Sequence, residues 1–151
     1  MTTSHSNIDR AHWMSILAKA PPALLANAVA AFGTLPDFAW LRKPETGLAM
    51  VRARTGGTGA QFNLGEMSVT RCALRLASGE MGVAYVAGRD LRHAQWAALF
   101  DALLQSDAHA TINSTILQPI ESALALQRAQ TQAQAQATKV DFMTMVRGEN
   151  A

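Results

Sequence analysis

The chain has 151 residues, of which 49% are apolar and only 16% charged, with a formal net charge of +2. That length suits one domain with one core, and the thin charge leaves part of the surface to face protein instead of water. So small a charge excess argues against the dense basic field that tracks a phosphodiester backbone, and so against nucleic acid as a ligand.

The first elements are helical. After a start over residues 1–8 that is expected to be disordered, Asp9 is placed to cap a short helix with Trp13, Ile16 and Leu17 on one face, ending before Pro21. A second helix carries Leu24, Leu25, Ala28 and Phe32 at helical spacing, with Gly33 as its left-handed stop. Its apolar run, Ala23 to Phe32, is broken by Asn27 and falls far short of the ~20 residues of a membrane span. The polar N-terminus has none of the parts of a signal peptide, and the single cysteine, Cys72, has no partner for an intramolecular disulfide. These features predict a cytoplasmic protein without membrane association.

From Phe38 to Ala87 short extended runs alternate with Gly, Pro, Ser and Thr, a pattern that predicts four strands: Phe38 to Arg42, Leu48 to Arg54, Ser68 to Ala77 and Met81 to Ala87. Lys43 to Gly47 and Ser78 to Glu80 read as hairpin turns, so the pairing is expected to be antiparallel. Asp90 caps an amphipathic helix from Leu91 to Gln105, and a further long helix begins near Ser114 or Pro119. The expected fold is α+β: an antiparallel sheet of about four strands, flanked by N-terminal helices and two longer C-terminal ones. Residues 9–151 form a single domain, within which 127–151 reads as an Ala/Gln-rich helix and apolar tail that dock on a partner.

The residues with chemical potential are scattered. Thr55-Gly56-Gly57-Thr58-Gly59 has backbone amides free to cradle phosphate oxygens, but it lacks the ending of a P-loop and the spacing of a dinucleotide fingerprint, so a plain hairpin loop is the competing reading. Arg52 and Arg54 lead into this loop, while Arg71 and Arg75 alternate to one face of the next strand; such guanidinium groups suit phosphate recognition or ion pairs between subunits. Glu66 lies between the loop and the arginine-bearing strand. His93 sits on a helical face with Ala97 and Phe100, as a hydrogen-bonded core-edge histidine or a general base. The four histidines show no metal-binding spacing, and no nucleophile turn is present, so no metal site is expected from this chain.

Five blocks together resemble one family. They are RAHWMSILA from Arg10, ETGLAMVRARTGGTG from Glu45, QFNLGEMSVTRCALRL from Gln61, GRDLRHAQWAALFDALLQ from Gly88 and KVDFMTMVRGENA from Lys139. In order and spacing they resemble the G subunit of the bacterial carbon-phosphorus lyase core complex, with Ser68 where a Thr is usual and Met143 where a Phe is usual. The resemblance implies a subunit that is inactive alone and joins H, I and J subunits, the I subunit most intimately, aided by an L subunit of the ATP-binding-cassette type. It implies a multi-subunit transferase of phosphonate catabolism in which a phosphonate displaces adenine from ATP, giving a ribose 1-phosphonate 5-triphosphate. ATP is then a substrate of the complex, and no cofactor belongs to this chain alone. The resemblance assigns no catalytic residue here. Arg54, Gly56, Gly57 and Arg71 stand as candidates for holding substrate phosphate, and Glu66 and His93 as candidates for catalysis; the alternative is a non-catalytic adaptor that holds the I subunit in its active arrangement.

Overall fold

A computed structural model describes residues 7–140. In chain order it has α1 (Asn7–Lys19), α2 (Pro22–Phe32), β1 (Phe38–Arg54), β2 (Gln61–Leu76), β3 (Met81–Ala87), α3 (Leu91–Leu104), a short α4 (His109–Ile112), a π-helical turn (Asn113–Leu117) and α5 (Gln118–Ala137). The strands form one antiparallel sheet in the order β1-β2-β3. Most of the sequence expected to be disordered before Asp9, and the tail from 141, lie outside the described residues, although α1 already starts at Asn7.

The α+β class is as expected, but the sheet has three strands, not four. Lys43 to Gly47 is no turn: β1 runs straight through it, with register shifts between Trp40 and Arg42 and between Arg42 and Glu45. Two physical reasons account for this. β1 is an edge strand, so Pro44 can sit within it at an irregularity without removing a needed ladder donor. Glu45 also ties this stretch down, because its carboxylate accepts from Arg42 at 2.6 Å and from Arg71 of β2 at 2.8 Å. The turn at Ser78 to Glu80 forms as expected, with Gly79 at φ 112° and the Leu76 amide donating to the Glu80 carbonyl.

One face of the sheet builds the core. Thr70, Cys72, Leu74 and Leu76 of β2 and Ala84 and Val86 of β3 are buried beneath α3, whose Ala94, Ala97, Ala98 and Phe100 are likewise buried. The approach is close: a Cβ built on Gly82 would lie 1.8 Å from the Ala98 carbonyl oxygen, so only glycine fits there. Helix α3 begins as expected, with the Asp90 carboxylate accepting from the His93 amide at 2.9 Å. Trp13, Ile16 and Leu17 of α1, Leu25 of α2 and Ile112, Ile116, Leu117 and Ile120 of the last helical stretch close the core from the other side. None of the helices is long and apolar enough to cross a membrane alone among the described residues.

Two elements extend past this core. β3 covers β2 only from Val69 to Arg75, so the hairpin from Gly47 to Ser68 continues as a two-stranded arm. The eight residues from Gln61 to Ser68 give it a reach of roughly 27 Å. Helix α5 likewise leaves the body, and from Ala125 to Ala137 every residue is exposed.

Candidate functional site

At the end of the arm, β1 and β2 close over the glycine loop. The Thr55 amide donates to the Ala60 carbonyl at 3.2 Å and the Gly59 amide to the Thr55 carbonyl at 2.8 Å, while Gly56 and Gly57 hold φ 58° and 84°. Nothing lies within 4 Å of where their side chains would be, so the glycines serve backbone conformation and leave the loop surface bare. Arg54 braces the loop by donating from Nη1 to the Gly59 carbonyl at 3.2 Å. Arg52 and Arg54 alternate to the side of β1 that carries Thr46, Leu48 and Met50, since the extra residue at the register shift beside Val51 lies in β2.

Arg71 and Arg75 take the opposite side. Thr70, Cys72 and Leu74 are buried in the core, so the odd-numbered positions of β2 face away from the helices. Arg52 with Arg54 and Arg71 with Arg75 are therefore two groups on opposite faces of the sheet. Arg71 donates to the Glu45 carboxylate, and hydrogen bonds with Tyr85 and then Glu45 push its pKa further above the usual guanidinium value. The Glu45 carboxyl is held below its ordinary range by its hydrogen bonds with Arg42 and then Arg71. These ion pairs are within the chain.

The candidate residues do not converge. Arg71 is paired at Glu45, and ten residues of extended strand and turn separate Glu45 from Gly56, a distance on the order of 30 Å. Glu66 sits midway along the arm, exposed and opposite Met50. His93 is in the body, 5% exposed, with Nε2 at 2.8 Å from the Leu17 carbonyl oxygen. A carbonyl only accepts, so Nε2 carries the proton and donates. His93 thus joins α3 to α1 as a satisfied core histidine. Cys72 is buried, donates to the Ala94 carbonyl and has its pKa pushed up to about 11 by burial, which keeps it a thiol.

Sequence reasoning missed the residue with the densest polar contacts. Asp101 of α3 is fully buried. Its Oδ1 accepts from Arg10 Nε at 3.1 Å and Trp13 Nε1 at 2.8 Å; its Oδ2 accepts from Arg10 Nη2 at 2.8 Å and the Val83 amide at 2.9 Å. One carboxylate thus joins α1, α3 and β3. The signal was legible in principle, because Asp101 falls on the apolar stripe of α3 at helical spacing from Ala94, Ala97 and Ala98. Among the described residues no three His, Cys, Asp or Glu side chains gather as metal ligands.

No constellation in the described part of this chain makes a complete active site, and comparison with known proteins places it among subunits. Residues 8–148 match the family model described as phosphonate metabolism protein PhnG. The chain belongs to the PhnG family. It is 42% identical over 142 residues to the alpha-D-ribose 1-methylphosphonate 5-triphosphate synthase subunit PhnG of Rhizobium meliloti (strain 1021), covering 94% of this chain and 91% of that relative. A protein of the PhnG family is a subunit of an enzyme complex of phosphonate metabolism. A chain whose arm and last helix extend past its core has the shape such a role asks for.

Proposed function

We propose that this chain lends its arm to a synthase site shared with partner subunits, where a phosphonate displaces adenine from ATP. In that substitution a phosphonate oxygen bonds to the anomeric carbon, the bond from that carbon to adenine breaks, and adenine leaves with a proton. The product is a ribose 1-phosphonate 5-triphosphate. Such a site must hold a polyanion while adenine departs. The carrying observation is the tip: Arg52, Arg54 and the bare Gly56-Gly57 turn sit at the far end of a roughly 27 Å arm, away from the protein's own body. Forked donors and loop amides suit the triphosphate. Arg71 is held in place by Glu45 on the opposite face of the sheet, Glu66 is exposed along the arm, and His93 acts only by fixing α3 to α1.

The partners in this reading are the H, I and J subunits, the I subunit most intimately, with an ATP-binding-cassette-like L subunit, all in the cytoplasm, where ATP is at hand. The chain is inactive alone and supplies no cofactor. The test is phosphonate-dependent adenine release by the reconstituted subunits, with complex size followed in parallel. Arg54→Ala is expected to leave the complex intact and lower turnover more than tenfold, the scale of one lost oriented charge contact. Normal turnover in that variant refutes the shared-site reading.

A second reading, a structural adaptor, is favoured by the exposed run of α5 from Ala125 onward. A helix with so little apolar surface is marginal unless a partner covers it. Here, ending the chain before Ala125 abolishes complex formation, and an intact complex on size exclusion rejects it.

A further inference from the structure

The groove between α1 and α5 has no part in the shared-site reading, although its Gln127 and Arg128 belong to the exposed run of α5. It is a cavity of about 280 Å³ with Lys19 and Arg128 at its walls and Ile16 and Leu124 among its lining. Lys19 Nζ donates to Ser15 Oγ at 3.0 Å and Arg128 Nε to the Leu124 carbonyl at 3.3 Å, so each cation bonds here to a neutral oxygen. Glu121 is the acid of the lining, and it is engaged by His12, whose Nε2 lies 3.2 Å from its carboxylate. The groove thus pairs two cations with an apolar floor, on two helices joined by the contact of His12 with Glu121. A concave site with a few convergent polar groups and an apolar lining is what a small ligand requires.

We infer that this groove binds a small alkylphosphonate, its oxyanion between Lys19 and Arg128 and its alkyl group on Ile16 and Leu124. The forked guanidinium can take two oxygens of the head group while the lysine supplies a point charge. The apolar floor makes the ligand more than a simple anion, because inorganic phosphate and sulfate have nothing to place there. The ligand class rests on the phosphonate reading above. The groove is formed by α1 and α5, whereas the proposed triphosphate contact lies at the arm tip, so the two can be tested apart.

The experiment is a titration of the full-length chain with methylphosphonate, followed by the backbone amide signals in NMR. A ligand of so few atoms binds weakly, so the titration runs to about 10 mM. Saturable shifts are expected at Ser15, Lys19, Gln127 and Arg128, with inorganic phosphate at least severalfold weaker. Lys19→Gln with Arg128→Gln, both on exposed surface, is expected to weaken binding more than tenfold. No saturable shift at these residues overturns the inference, as does equal binding of phosphate, which makes the groove a general anion site. If Arg54→Ala stops adenine release while the groove stays silent, this inference alone falls; groove binding with normal turnover in Arg54→Ala removes only the arm's role.

Discussion

Replacing Asp101 should unpin three elements at once, and the cost follows from its four donors. In Asp101→Ala the Trp13 indole N–H loses its acceptor in a buried place and the Val83 amide in a part-buried one, and an unmet buried donor costs about 1–3 kcal/mol. Arg10, with its side chain 32% exposed, can turn to water, so its share is discounted to little. The sum is about 4 kcal/mol. Asp101→Asn should cost roughly half of that, because whichever carboxylate edge becomes the NH₂ group confronts either Trp13 or Val83 and spares the other. Urea denaturation of the full-length chain followed by circular dichroism reads this directly. With a slope of about 2 kcal/mol per molar, the midpoint falls by about 2 M for Ala and 1 M for Asn, at unchanged slope. The Arg10→Ala and Asp101→Ala double variant should cost well under the sum of the singles, since Arg10→Ala strands the buried Asp101 charge and the double variant no longer carries that charge. A loss below about 1 kcal/mol for Asp101→Ala, or strict additivity of the pair, refutes the reasoning.

Further outcomes follow from other sites. Gly82→Ala drives a Cβ into the Ala98 carbonyl and should cost about 3 kcal/mol or more in the same urea assay; a stability within 0.5 kcal/mol of the parent would mean α3 does not rest on β3 as described. Cys72, with its folded pKa near 11 against an ordinary 9.0, is neutral in both states below pH 9. Only the unfolded thiol ionises between about pH 9 and 11, so stability should fall with rising pH across that window, and Cys72→Ala should flatten the fall. Folded Cys72 should also resist alkylation at pH 8, as counted by mass spectrometry. On the arm, Leu64→Asp with Met67→Asp touches exposed side chains, so the chain's own unfolding should shift by less than about 1 kcal/mol while association with partner subunits is lost on size exclusion.

Much of the fold was legible because local signals agreed with one another. The Asp90 cap, the Gly79 turn and the spacing of Trp13, Ile16 and Leu17 each depend on a few neighbouring residues, and each appears as read. The fusion of two expected strands into β1 was not legible, because it depends on a partner: Glu45 meets Arg71, 26 residues away, and that pairing overrides the turn chemistry of Lys43-Pro44. The stretch Gln61 to Met67 was missed as strand for a related reason, since its asparagine, glycine and exposed apolar residues look irregular until β1 lies beside them. Of the candidate residues, the arginines and glycines could be named but not brought together. Side-chain alternation along β2 was read correctly, whereas the face taken by Arg52 and Arg54 depends on pairing that spacing along the chain does not encode.

The arm has a cost in the cell as well as a use in the complex. Beyond Gly88, whose amide still donates to the Ser68 carbonyl, the strand from Gln61 to Met67 has an open edge among the described residues, flanked by exposed Phe62, Leu64 and Met67. Such an edge accepts any extended chain that meets it, including another copy of itself. Copies synthesised in excess of their partners would therefore be the ones drawn into aggregates or degraded, and the supply of partners would set the soluble level of this chain. Producing it together with its partners should raise the soluble yield more than lowering the temperature or changing the salt.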